Sequence, residues 1–260
     1  MKIIAIVSGK GGVGKTTVSA NLCAGLRRLG KSVLAVDLDP QNALRLHFGV
    51  SPRHVGGLAR AVLSGEDWRS SVVQGNTGDY VLPYGSINEG DRLDFEQDLR
   101  ENPTLLRDQL ALLGLADDCV VVLDTPPGAS VYLTQALVAA NAAVIVALPD
   151  AASYATLPKI MSLIKQYCSR RKKFLGYLLL INQVDRVKQL ADDVTDMMSA
   201  KFGKKSIVLI HQDQAIPEAL AYSKDLQEYD PLSRGAYDVK LCVQAVERLL
   251  NSETVGVAVA

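Results

Sequence analysis

The 260-residue chain has no apolar run long enough to span a bilayer. Its longest, Ala136 to Leu148, is broken by Asn141 and falls short of the ~18 residues a spanning helix needs. Ile3–Val7 follows Lys2 but ends at once in Ser8 and a glycine loop, too short for the apolar stretch of an export signal. Any membrane role is therefore expected to be peripheral. Net charge is also lacking: 28 basic side chains balance 28 acidic ones. That balance argues against a chain-wide attraction to nucleic acid or acidic lipid and leaves only local patches. Cysteine is sparse and scattered, as Cys23, Cys119, Cys168 and Cys242, with no C-x-x-C pair and no histidine at ligand spacing. Such thiols read as small apolar packing residues, which fits a cytosolic protein. Aromatic residues make up only 5% of the chain, so a core must come from Val, Ile, Leu and Ala. That composition suits a sheet covered by helices.

What is present is an alternation of short β-branched runs with longer helical periodicity. Predicted strands are Ile3–Val7, Val33–Val36, Tyr80–Leu82, Val120–Leu123, Ala143–Leu148, Tyr177–Ile181 and Ile207–Ile210. Most are apolar throughout, as strands buried on both faces are. Predicted helices are Lys15–Leu29, Gly57–Leu63, Thr104–Leu113, Val131–Ala140, Ser153–Arg170, Val187–Lys201 and Ala236–Leu250. The pattern implies an α/β fold with a mostly parallel sheet and right-handed crossovers. Residues 64–101, richer in Gly, Asp, Glu and Ser, read as loops and short helices. With no repeat and no linker, residues 1–250 are expected to form one domain, followed by a loose tail over 251–260.

Gly9-x-x-x-x-Gly14-Lys15-Thr16 follows the first predicted strand and opens a helix. This is the setting of a phosphate-binding P-loop. Glycines let the backbone curl around a phosphate, and the N–H groups and positive helix end then point inward. Lys15 would bridge the β- and γ-phosphates, and the Thr16 hydroxyl would hold Mg²⁺. The apolar run Val120–Leu123 ends in Asp124, a Walker B aspartate expected to hold Mg²⁺ through water. Pro126, Pro127 and Gly128 then form a loop placed to sense the γ-phosphate. Lys10 is a second cation inside the loop, with no necessary role in the cradle.

The run Lys10-Gly11-Gly12-Val13-Gly14-Lys15-Thr16-Thr17 resembles the signature of the ParA/MinD family of deviant Walker A ATPases. The resemblance covers nearly the whole chain. It implies a three-layer P-loop NTPase fold, ATP and Mg²⁺ as cofactors, and a homodimer sandwiching the nucleotides. Residues Gly11, Gly12, Val13, Gly14, Lys15, Thr16 and Thr17 would then cradle the phosphates. Lys10 would cross the two-fold interface to the partner's nucleotide, where its charge offsets the repulsion of two facing phosphate sites.

The segment Val36-Asp37-Leu38-Asp39-Pro40-Gln41 resembles the family's first switch, so Asp39 is expected near Mg²⁺, orienting the attacking water, and Asp37 as a loop anchor. The catalytic set so implied is Lys10, Lys15 and Asp39, and the metal set is Thr16, Asp39 and Asp124. Leu179-Leu180-Ile181-Asn182-Gln183-Val184-Asp185 resembles both the family's adenine-contacting Asn and the N-K-x-D motif of GTPases. Gln183 replaces the lysine that packs under guanine, which favours ATP. Asn182 is then the base contact, and Asp185 is left to cap the next helix. The segment around Gln212 resembles the loop whose backbone lies along the base, with His211 too far from the γ-phosphate to act as a base.

Outside these motifs, segments 42–50 and 57–69 and the runs Leu82-Pro83-Tyr84-Gly85 and Ile210-His211-Gln212-Asp213 resemble the branch of this family tied to bacterial cellulose synthesis. That branch implies a slow ATPase that assembles, localises or regulates the inner-membrane cellulose synthase. Its partners would be small accessory subunits of that complex. A DNA-partitioning ParA would need a basic surface, for which Arg170–Lys173 and Lys201, Lys204 and Lys205 are the candidates. A MinD-like membrane binder would end in a basic amphipathic helix, and Val255–Ala260 carries no cation. An iron–sulfur reductase on this scaffold would need loop cysteines, whereas Cys119 precedes a strand.

Overall fold

Runs of Val, Ile and Leu form the strands of one sheet in the computed structural model, which describes residues 1–76, 78–203 and 206–252. In chain order they are β1 (Lys2–Val7), β2 (Val33–Asp37), β3 (Val73–Gln74), β4 (Tyr80–Leu82), β5 (Val120–Asp124), β6 (Ala142–Ala147), β7 (Gly176–Val184) and β8 (Ile207–His211). The eight strands lie in the order β3-β4-β2-β5-β1-β6-β7-β8. All pairings are parallel except β3 with β4. The chain leaves β1 toward β2 on one side and later crosses to β6 on the other. The strand order therefore reverses at β1, and the crevice beyond its carboxyl end is where ligands bind in such sheets.

Helices cover both faces. They are α1 (Lys15–Arg28), α2 (Leu44–His47), α3 (Leu58–Ser64), α4 (Glu89–Glu101), α5 (Leu105–Leu112), α6 (Val131–Ala139), α7 (Ala151–Cys168), α8 (Gln189–Phe202), α9 (Ala215–Ala221), α10 (Leu226–Tyr229) and α11 (Arg234–Asn251). Period-two alternation sorts β1 between two cores. Ile3, Ala5 and Val7 pack with Leu58, Phe95, Leu106, Leu133, Leu157 and Met198 from α3 to α8. Ile4 and Ile6 pack with Leu22, Leu26, Leu44, Val239 and Val243 from α1, α2 and α11. This is the three-layer α/β architecture expected. Each of the Val, Ile, Leu, Phe and Met side chains among them contributes roughly 1.5–3 kcal/mol by burial, against at most about 1 kcal/mol for a surface ion pair. The two cores, not the surface pairs, hold the crevice residues in place.

The structure corrects the reading of residues 64–101. Up to Asn88 the described segment is loop with one short helical turn (Trp68–Ser71) besides β3 and β4. A 13-residue helix, α4, then begins after Asn88, whose side chain accepts the Asp91 N–H at 2.9 Å. Only Phe95 and Leu99 of α4 are buried, a stripe too thin to show a helical period. The strand β3 and the short helices α9 and α10 were likewise not anticipated. Lys204, Lys205 and most of the expected tail (253–260) lie outside the described residues. Among the described residues no helix is long and apolar enough to cross a membrane.

Candidate functional site

Three strand ends, those of β1, β2 and β5, deliver their following loops to one crevice. The loop after β1 closes on itself through Ser8, whose hydroxyl donates to the Lys10 carbonyl at 2.8 Å, and ends at Gly14, the left-handed N-cap of α1 (φ 88°). Two neighbours require its glycines to be bare. A Cβ on Gly9 would run into Thr156 of α7, and one on Gly14 would sit 2.5 Å from Asn182 Nδ2. The next loop is tied to the first: Thr125 Oγ1 donates to the Ile6 carbonyl at 2.7 Å, and the Gly128 N–H to the Ser8 carbonyl at 2.9 Å.

Lys15, only 7% exposed, occupies the first turn of α1. Burial lowers its pKa, while Asp124 and Asp39 pull the other way. Asp124 is 1% exposed, and its Oδ1 accepts from Ser19 Oγ at 2.9 Å. Its other oxygen, Oδ2, is buried with no hydrogen-bond partner. Burial pushes Asp124 up to about 6, against Thr16, Ser19 and Lys15. Asp37 lies beside it in register across β2 and β5 and is fully buried. Burial first, and Asp124 next, raise its pKa well above the carboxylate range. Asp37 accepts the N–H groups of Asp39 and Leu44, each at 3.0 Å, which fixes the loop between them. Asp39 is half-buried and caps its own turn by accepting the Gln41 N–H at 2.9 Å. The structure thus brings Lys15, Thr16, Asp39 and Asp124 together. A buried carboxylate oxygen without a partner, beside an ammonium and a hydroxyl, fits a hard cation with its phosphate ligands.

Lys10 sits at the rim and turns aside. Its ammonium meets Asp150 Oδ2 at 2.7 Å, with both side chains more than a third exposed. Asp150 also caps α7, accepting the Ser153 N–H at 2.6 Å. Burial works against the Asp150 carboxylate, yet Lys10 and Ser153 hold its pKa below the usual value. Sequence reasoning missed Asp150, although an Asp ahead of a helical run is an N-cap signal.

The far side of the crevice lies beyond β7 and β8. Asn182, 6% exposed, donates Nδ2 to the Val13 carbonyl at 2.8 Å and so joins β7 to the glycine loop. A cavity of ≈ 450 Å³ opens next to it, lined by Gly14, Thr17, Asn182, Gln183, Gln212 and Pro217 among others. Gln183 stands at positive φ (56°) in a bulge of β7, and the Gln212 side chain is exposed while its N–H donates to the Val184 carbonyl. Asp185 is engaged elsewhere, accepting the Val187 N–H and pairing with Lys188 at 3.1 Å. His211 Nδ1 lies 2.7 Å from buried Asp238, which also meets Arg234. Of the basic candidates, Arg171 turns inward to the Leu137 and Ala139 carbonyls.

Comparison with known proteins follows the same lines. The family model described as "Cellulose biosynthesis protein BcsQ" matches residues 1–245. A cellulose biosynthesis protein BcsQ of Salmonella typhimurium is 29% identical, covering 92% of this chain and 91% of its own. The chromosome-partitioning ATPase Soj of Thermus thermophilus is 33% identical, covering 94% of each. Among solved structures, the septum site-determining protein MinD of Pyrococcus horikoshii, complexed with Mg-ADP, superposes with a TM-score of 0.74 at 26% identity, over 96% of this chain and 97% of that one.

Proposed function

The chain belongs to the BcsQ family of cellulose biosynthesis proteins, and on that footing we propose that it is an ATP-dependent dimerisation switch serving the bacterial cellulose synthase. The observation that carries the reading is the convergence of Lys15, Thr16, Asp39 and the orphaned Asp124 oxygen at the end of a bare glycine loop. Related proteins support the ligand: the MinD structure holds Mg-ADP.

In this reading Gly11, Gly12, Val13, Gly14, Lys15, Thr16 and Thr17 cradle the phosphates of ATP. Thr16 and Asp124 hold Mg²⁺, with Asp39 close to it. The cation supplies charge neutralisation of the β- and γ-oxygens when bound. Asp39 orients the attacking water, Lys15 steadies the charge that develops on the phosphate, and Asn182 with the backbone at Gln212 receives the adenine. Hydrolysis is slow, and residues 1–250 act as one unit.

Lys10 leaves Asp150 and crosses to the nucleotide of a second copy. The resulting homodimer acts with small accessory subunits, peripherally, at the inner-membrane synthase. Light scattering tests this directly. Wild-type protein with Mg·ATPγS should double its mass, and Lys10→Ala should bind the nucleotide but remain at its starting mass. Equal masses with and without nucleotide in the wild type would refute the switch.

The 33% identity to the Soj ATPase supports a second reading, a DNA-partitioning ATPase. The inward turn of Arg171 and the zero net charge count against it. An ATP-dependent, salt-sensitive shift of duplex DNA would reverse that preference.

A further inference from the structure

The Asp39 loop follows β2, and the Pro126–Gly128 loop follows β5, its neighbour in the sheet. A chain of buried polar groups joins the two loops behind the crevice. Asn42 ends the first: its N–H donates to the Asp39 carbonyl at 2.8 Å, and its Oδ1 accepts the Tyr84 N–H at 3.1 Å. The Tyr84 and Tyr132 hydroxyls lie 2.8 Å apart. Tyr132 is the second residue of α6, whose N-cap, Ser130, closes the second loop. Its hydroxyl also reaches Glu96 of α4 at 3.3 Å, where Arg92 and Arg100 pair with the carboxylate. The rings of Tyr84, Phe95 and Tyr132 pack against one another with centroids 5.8 to 6.2 Å apart. Both tyrosines are at least 97% buried.

Two features set this junction apart from ordinary core packing. Asn42 adopts a left-handed backbone (φ 53°) although it is not glycine. Its Nδ2 is buried without a hydrogen-bond partner, while its Oδ1 is satisfied. A left-handed, half-satisfied asparagine thus ends the Asp39 loop and anchors it to Tyr84 through its side-chain oxygen. The tyrosines, in contrast, satisfy each other.

We propose that Tyr84 and Tyr132 are positioning residues for ATP hydrolysis, their shared hydroxyl hydrogen bond holding the Asp39 loop and the Pro126–Gly128 loop in register. The inference rests on the ATPase reading above. The two hydroxyls bond to each other and to Glu96, so the pair acts on geometry and not on binding.

Steady-state kinetics of the full chain tests it. Tyr84→Phe and Tyr132→Phe keep the rings and remove one hydroxyl each. Each should lower kcat about fivefold, the effect of one net hydrogen bond, while KM for Mg·ATP stays within about twofold. The double variant should be no slower than Tyr132→Phe, which already loses the shared bond and the Glu96 contact. Unchanged kcat in both, or losses that multiply in the double, would overturn the inference while leaving the ATPase reading intact. No turnover by the wild type would remove both. Should a variant fail to fold, amide exchange in the wild type decides. On adding Mg·ATPγS, the Tyr84 N–H must change its protection together with residues 11–17. Protection of 11–17 with an unmoved Tyr84 overturns the proposal.

Discussion

The two halves of the crevice are built differently. The phosphate half is made of side chains: an ammonium, a hydroxyl and carboxylates, most of them buried and held at fixed spacing by loop hydrogen bonds. The half proposed to receive the base is a cavity bounded by exposed glutamines, a bulge and backbone, with Asn182 as its one buried polar side chain among those lining it. The contrast follows from the ligand. A charged phosphate and a cation demand particular functional groups, whereas a flat heterocycle is satisfied by shape and by amides that any residue supplies.

If this division holds, substitutions should fade in effect from the phosphate side to the base side. Lys15→Ala should weaken ATP binding about 100-fold or more, the value of a desolvated charge-assisted contact, in a titration with a fluorescent ATP analogue. Asp124→Asn should nearly abolish Mg²⁺-dependent turnover yet raise the melting temperature measured without Mg²⁺ and nucleotide. The sign follows from linkage. Burial holds Asp124 near 6 in the folded chain, above its ordinary 3.8, so the native state binds the proton more tightly than the unfolded one. Ionisation therefore costs stability as pH rises from about 4 through 6, and the cost is complete above that. The advantage of the Asn variant should grow between about pH 4 and 6, then level off at roughly 3 °C or more. A constant difference across that range would show that Asp124 ionises freely.

Asn182→Ala stands between the halves, because it removes the donor to Val13 as well as the proposed base contact. About a tenfold loss of ATP affinity is expected, with little discrimination between ATP and ADP. Gln212→Ala should change affinity less than about twofold, since its fixed contact is through the backbone. An equal loss from Gln212→Ala and Asn182→Ala would break the comparison.

The same contrast explains what the sequence made legible. Strand positions and the glycine loop could be read because buried parallel strands are apolar throughout and a phosphate cradle needs glycine. Asp37 and Asp124 stood at strand ends, where their carboxylates had few other uses. The Lys10–Asp150 pair could not be read, because two residues 140 positions apart meet only through the order of strands β1 and β6. Helix α4 was hidden by its polarity: six acidic residues in thirteen leave no apolar period to find. Asn42 and the tyrosine pair looked like any loop and core residues until the fold placed them side by side.

The four thiols have one further consequence. All are buried, and burial raises the pKa of each, so none presents a thiolate to solvent. The native surface therefore offers maleimides no thiol. A single cysteine engineered beside the rim of the glycine loop would then be the sole reactive handle, and a covalent link between two copies through it would trap whatever pairing the molecule makes.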